Sequence, residues 1–169
     1  MIKEFNICPC CGLKSPILNI TVPLHLSASS GCWARFGEIL TREYTDQACM
    51  VVHHLTVDAY AVQHLLLEPT KAAISSLNTH LLALYLNRRR GWGLEQLRGA
   101  RAQIAKKALL FGKWIEPPHS VSALTIDEIA KASNPRVHVH RVEEWANVVW
   151  ESWAERYREI EELAATYAL

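Results

Sequence analysis

Residues 140–167, HRVEEWANVVWESWAERYREIEELAATY, decide the fold class. Val142, Trp145, Val149, Trp153, Tyr157, Ile160 and Ala164 recur every three or four residues and make one apolar stripe. Glu143, Glu144, Glu151, Glu155, Glu159 and Glu162 fill the opposite face. That period belongs to an amphipathic helix, whereas a half-buried strand would alternate at every second residue. The spacing predicts one long helix from His140 to Tyr167.

The same period recurs upstream. Trp33, Phe36, Ile39 and Leu40 start a first helix at Cys32 that stops near Thr45 and Asp46. A second runs from Gln47 to Leu66, with Pro69 marking the break after it, and a third from Thr70 to Arg89, ended by the turn Gly91-Trp92-Gly93. Leu94 to Leu110 is a fourth, basic helix, in which Gly99 costs roughly 1 kcal/mol relative to Ala. Pro117-Pro118-His119-Ser120 is a connector. Thr125, with Glu128 three residues on, has the capping-box form and opens a short helix ending at Ser133-Asn134-Pro135. Residues 1–30 are rich in Pro, Ser and Gly and carry no helical period, with an extended piece over Ile17–Val22. The expected fold is therefore all-α. A single domain over residues 1–169 would place a bundle of five to six helices (31–169) behind an irregular N-terminal cap (1–30). There is no internal repeat and no low-complexity tract.

The 169 residues carry 18 Lys plus Arg against 17 Asp plus Glu, a net charge of +1, and half of them are apolar. This balance belongs to an ordinary globular protein and excludes both a strongly basic nucleic-acid wrapper and an acidic disordered tail. Apolar runs such as Leu81–Leu86 are far shorter than the about 20 residues that cross a bilayer. The chain opens on Met1 without the charged-then-apolar run of a secretion signal, so we expect a cytoplasmic protein with no membrane partner. What stands out is eight His and five Cys. Five is an odd number for disulfides, and three of the five (Cys8, Cys10, Cys11) fall within four positions. Reduced, clustered thiols read as metal ligands.

Cys8-Pro9-Cys10-Cys11-Gly12 fits C-P-x-C-G, the turn that supplies two thiolates to one zinc ion. Two intervening residues let both sulfurs point to one side, and the glycine accepts the positive φ that turns backbone amides towards them. No second C-x-x-C follows, so the remaining ligands come singly from Cys32, Cys49 or a histidine. Helix geometry narrows these. In antiparallel neighbours, positions equidistant from the turn lie level, which brings Cys32 of the first helix beside His64 of the second. It also sets His53 level with His80 on the third. His53 and His64 are eleven residues apart, about 16 Å along one helix face, and cannot share an ion. Cys8, Cys11, Cys32 and His64 thus form a closed Cys3His zinc site. His53 and His80 form a separate polar pair, with Tyr60 on the His53 face and Asp58 placed to orient an imidazole.

These residues resemble an uncharacterised bacterial family of small proteins. The likeness rests on Cys8-Pro-x-Cys11-Gly, on Cys32-Trp33, on the string from Val57-Asp58-Ala59-Tyr60 to Gln63-His64, and on His80-Leu81. The late pattern Trp145-x4-Trp150-x2-Trp153 is similar to that family's C-terminal end. It departs from the family at Cys10 and at Leu65. The family carries no activity to transfer, so the resemblance supports the choice of residues and implies no reaction.

Residues 86–114 hold Arg88, Arg89, Arg90, Arg98, Arg101, Lys106, Lys107 and Lys113 against the single acid Glu95, with Trp92 and Trp114 at the borders. This suits a nucleic-acid partner that stacks on the indoles, but the acidic last helix offers an internal counter-charge, which we favour. No phosphate-binding glycine loop, nucleophile elbow or H-E-x-x-H is present. The reading is a zinc-binding helical protein of unknown activity with a structural ion. Its rivals are a metal-dependent hydrolase or transferase using His53, Asp58, Tyr60 and His80, and a zinc-stabilised nucleic-acid-binding module.

Overall fold

Two short strands, not an extended piece at residues 17–22, open the chain. β1 (Phe5–Ile7) and β2 (Lys14–Pro16) pair antiparallel, with Phe5 opposite Pro16 and Ile7 opposite Lys14. Between them lies the C-P-x-C-G turn, closed by hydrogen bonds from Gly12 N to Cys8 O and from Cys8 N to Leu13 O, both 2.9 Å. Gly12 sits at φ +74°, the left-handed conformation this turn requires. The computed structural model describes residues 4–118 and 124–169, so His119 and Ser120 of the expected connector lie outside the described residues.

The described residues then form eight α-helices. Ser29 caps α1 (Ser30–Thr45), its Oγ accepting from Cys32 N at 3.2 Å. The helix expected over 47–66 is divided into α2 (Gln47–Met50), capped by Asp46, and α3 (His53–Gln63). The division falls at Val51-Val52, two β-branched residues whose crowded side chains lower helix propensity. Thr70 caps α4 (Lys71–Arg88), and α5 (Leu94–Phe111) starts where Gln96 Oε1 accepts from Gly93 N at 3.0 Å. In α6 (Ile126–Ala130) the Thr125 hydroxyl accepts from Asp127 N, while the Glu128 carboxylate takes Lys131 instead of closing a capping box.

The long C-terminal helix is corrected at both ends of its first half. α7 (Pro135–Glu151) begins five residues earlier than expected, because Asn134 Oδ1 caps Val137 N at 3.0 Å and Pro135 fits the first turn. It then breaks. Ser152 Oγ bonds back to Val149 O at 2.7 Å, and a 3-10 turn (Ala154–Arg156) leads into α8 (Tyr157–Thr166). The apolar stripe survives the break, since Trp153 in the bend is buried with Trp145, Val149 and Ile160.

α3 and α4 lie at the centre. Leu81–Leu86 are six consecutive buried residues, which requires neighbours on every side; α4 meets α3, α5, α7 and α8. α1 crosses α3 and carries α6 on its flank. The strand pair seats on the start of α1, where Ser15 Oγ lies 3.2 Å from Ser29 Oγ. Gly31 makes this approach possible: a Cβ there would stand 2.4 Å from Ser15 Oγ and 2.5 Å from Pro16 O. No helix among the described residues is long and apolar enough to cross a membrane.

Candidate metal centre

Three segments converge at the end of the helical body. The turn after β1 supplies Cys8 and Cys11, the first turn of α1 supplies Cys32, and the residue ending α3 supplies His64. Their ligand atoms all lie within 4.8 Å of one another, and all four residues are buried. Cys11 Sγ is 3.8 Å from Cys32 Sγ, and Cys32 Sγ is 3.3 Å from His64 Nε2. This group can hold a metal ion. The residues beside α3 fix its histidine. Ser27 N donates to His64 O at 2.8 Å, and Leu26 bridges to Leu65, so the cap is laced to the helix end on both sides of the site.

His64 Nδ1–H donates to Tyr60 O at 2.9 Å, leaving the Nε2 lone pair to face the sulfurs. The Tyr60 ring stacks on the His64 imidazole at 4.0 Å and on Phe36 at 3.9 Å, while its hydroxyl donates to Cys32 Sγ at 3.6 Å. Hydrogen bonds from Cys11 and Cys32 hold the Cys8 thiol far below its ordinary value, against the effect of burial. Cys32 is pushed far up by its bonds to Cys11 and Cys8 and by burial. The arrangement thus favours one thiolate over the two neighbouring thiols, and a bound cation would offset the repulsion among three. Cys10 turns away, its S–H donating to Ser27 O at 2.9 Å, and burial lifts its thiol to about 11. Cys49 is buried within α2 and stands outside the group.

A mostly helical protein with a small strand pair and a buried Cys3His group is the class that this fold and site define. The chain belongs to a family of unknown function, DUF5946, whose model matches residues 6–154. No curated protein and no solved structure matches the chain.

His53 and His80 do not meet. His53 Nδ1 donates to Glu43 Oε2 at 2.8 Å, and its Nε2 accepts from the Tyr44 hydroxyl at 3.2 Å. His80 Nδ1 donates to Asp58 Oδ1 at 2.9 Å. Asp58 therefore does orient an imidazole, that of His80 and not of His54 on its own helix. The pairing of His53 with His80 fails because level positions need not face each other. His53 and Asp58, five residues apart, point about 140° apart around α3, and only Asp58 faces α4. Tyr60 faces the thiols.

Sequence reasoning missed Glu43. Its carboxylate has no exposed surface and accepts from His53, from His138 Nε2 at 3.0 Å, and from the Thr56 hydroxyl. Burial would raise this carboxyl, yet the bonds from His138, His53 and Thr56 together hold it below the ordinary carboxylate range. Glu43 ties α1 to α3 and α7. The only hint in the sequence was a glutamate inside an apolar helix face; His138 is 95 positions away. The basic segment finds partners within the protein at several points, two of them on the surface. Arg101 binds Asp58, Arg98 pairs with Glu95 at 3.0 Å, Arg89 with Glu161 at 3.9 Å, and Lys107 Nζ donates to Tyr167 O.

Proposed function

We propose that the chain binds one zinc ion through Cys8, Cys11, Cys32 and His64, and that the ion is structural. The observation that carries this is the spacing of the ligand atoms. A tetrahedral zinc with bonds of about 2.3 Å to sulfur and about 2.0 Å to imidazole nitrogen sets its ligands about 3.8 Å apart (S to S) and about 3.5 Å apart (S to N). The Cys11–Cys32 and Cys32–His64 separations are 3.8 and 3.3 Å. The donor set of three thiols and one imidazole is among the commonest of structural zinc. Four protein ligands, all buried, leave no position for a reacting water. The ion's task is to hold the strand pair and the loop up to Ser29 against α1 and α3.

Purified wild-type protein is expected to carry one equivalent of zinc, and Cys8→Ser to carry less than about a tenth of that. A Cys8→Ser protein that stays fully loaded would contradict the ligand set. A second equivalent in the wild type, lost in His80→Ala, would support the metal-dependent hydrolase reading instead.

A further inference from the structure

Away from the metal centre, polar donors collect between α3, α4 and α5 without matching acceptors. The Nε and one terminal nitrogen of Arg88 are shielded from solvent and have no hydrogen-bond partner among the described residues. The same holds for Nδ1 of His54. Arg101 donates through one terminal nitrogen to Asp58 and, at 3.5 Å, to His54 O. Its other nitrogens make no hydrogen bond among the described residues. His80 is fixed by Asp58 through Nδ1, leaving Nε2 directed away from the carboxylate.

The charges do not balance. Asp58 is fully buried and already committed to Arg101 and His80, so it neutralises one cation and fixes the positions of both partners. Among the described residues, Arg88 has the exposed Glu143 near it and forms no ion pair. Burial lowers His54, and the nearby charges of Arg101 and Arg88 lower it further against the pull of Asp58, so both guanidinium groups lie within electrostatic reach of this imidazole. A shielded guanidinium donor left unpaired has lost its hydration without replacement, so such a group signals an acceptor that completes it. His80 and Arg101 keep 20% and 24% of their side-chain surface, so the cluster opens to solvent.

We propose that His54, Arg88 and Arg101, with His80 at the edge, form a second site that binds a small phosphate-type oxyanion. Planar guanidinium forks match the paired oxygens of a phosphate, and the recessed donors favour a terminal phosphate group over the backbone of a duplex. The site does not depend on the metal at Cys8–His64.

The test is a calorimetric titration of the full-length protein with inorganic phosphate, at an ionic strength held constant with chloride. Saturable binding is expected, weakened about tenfold or more in Arg88→Gln, in line with the loss of a charge-assisted hydrogen bond. Arg98→Gln, an exposed residue paired with Glu95, should bind as the wild type does. To separate loss of binding from loss of folding, the imidazole resonances of the unmutated protein are followed in the same titration. His54 should shift saturably, and exposed His140 should not. No saturable heat, or equal affinity in wild type and folded Arg88→Gln, would overturn the site. So would a duplex oligonucleotide that binds more tightly than phosphate with the same dependence on Arg88, which would assign the face to nucleic acid.

Discussion

Tyr60 and His64 are joined twice: the Tyr60 carbonyl accepts from His64 Nδ1 at 2.9 Å, and the two rings stack at 4.0 Å. One turn of α3 thus fixes both the tautomer and the plane of the imidazole before any ion arrives. The hydroxyl of the same tyrosine reaches Cys32 Sγ, so one residue supports two members of the metal group. Groups that orient metal ligands in this way typically govern affinity by a factor of about 10 to 100.

Tyr60→Phe keeps the ring and loses the hydroxyl. Competition with a chromophoric chelator should show zinc held about tenfold more weakly, with one equivalent still bound when zinc is in excess. Unchanged affinity would mean that the O–H to sulfur contact does not support the site.

The seat of the strand pair turns on Gly31. A methyl group there would meet Ser15 and Pro16, so Gly31→Ala must push the strand pair off α1. Thermal melts should show a loss of about 1–3 kcal/mol, accompanied by weaker zinc binding. Gly37 lies in the same helix, and a methyl group added to it would have nothing within 4 Å. Gly37→Ala should therefore gain about 0.5–1 kcal/mol and leave zinc affinity unchanged.

Glu43 makes stability depend on acid. Its native carboxyl sits below the ordinary value of 4.5, so its contribution is complete above that value. It is lost as pH falls through the lower native value. Glu43→Gln should cost about 3 kcal/mol near neutral pH, since it disturbs a buried group bonded to three partners. Denaturant unfolding should show the gap between wild type and variant level above about pH 5 and closing below 4.5. A gap that persists unchanged to about pH 3 would contradict the hydrogen-bonded carboxylate.

Removal of the ion should loosen only one part of the molecule. Ile17, Leu18, Ile20 and Leu24 are exposed on the loop that the metal group ties down. After chelation, limited proteolysis with a protease that cuts beside large apolar residues should attack residues 17–24 faster. The far-ultraviolet helix signal should stay nearly constant. Cleavage at equal rates with and without chelator would argue against a pinning role.

These expectations rest on features that were unequally visible in the sequence. α1 follows from its three- and four-residue periodicity, and α4 and α5 from the breaks that bound them, Pro69 before α4 and Gly91-Trp92-Gly93 between the two. Cys32 and His64 were within reach because both sit at helix ends whose relative level a short connection determines. The strands were not legible: three residues are too few to show alternation, and Lys14-Ser15-Pro16 contains no apolar pattern. The bend at Ser152–Arg156 was hidden because Trp153 keeps its place on the apolar stripe while leaving the helix. Asn134-Pro135 reads equally as the stop of one helix and the start of the next, and here it is the start. Glu43 with His138, and Arg101 with Asp58, join residues 95 and 43 positions apart, which no local spacing encodes.

The zinc-edge X-ray absorption spectrum of the purified protein tests the central claim most directly. Three sulfur neighbours at about 2.3 Å and one nitrogen at about 2.0 Å are expected, with His64→Ala replacing the nitrogen shell. A shell with two sulfurs or fewer, an oxygen ligand in the wild type, or a spectrum unchanged by His64→Ala would contradict the closed Cys3His site.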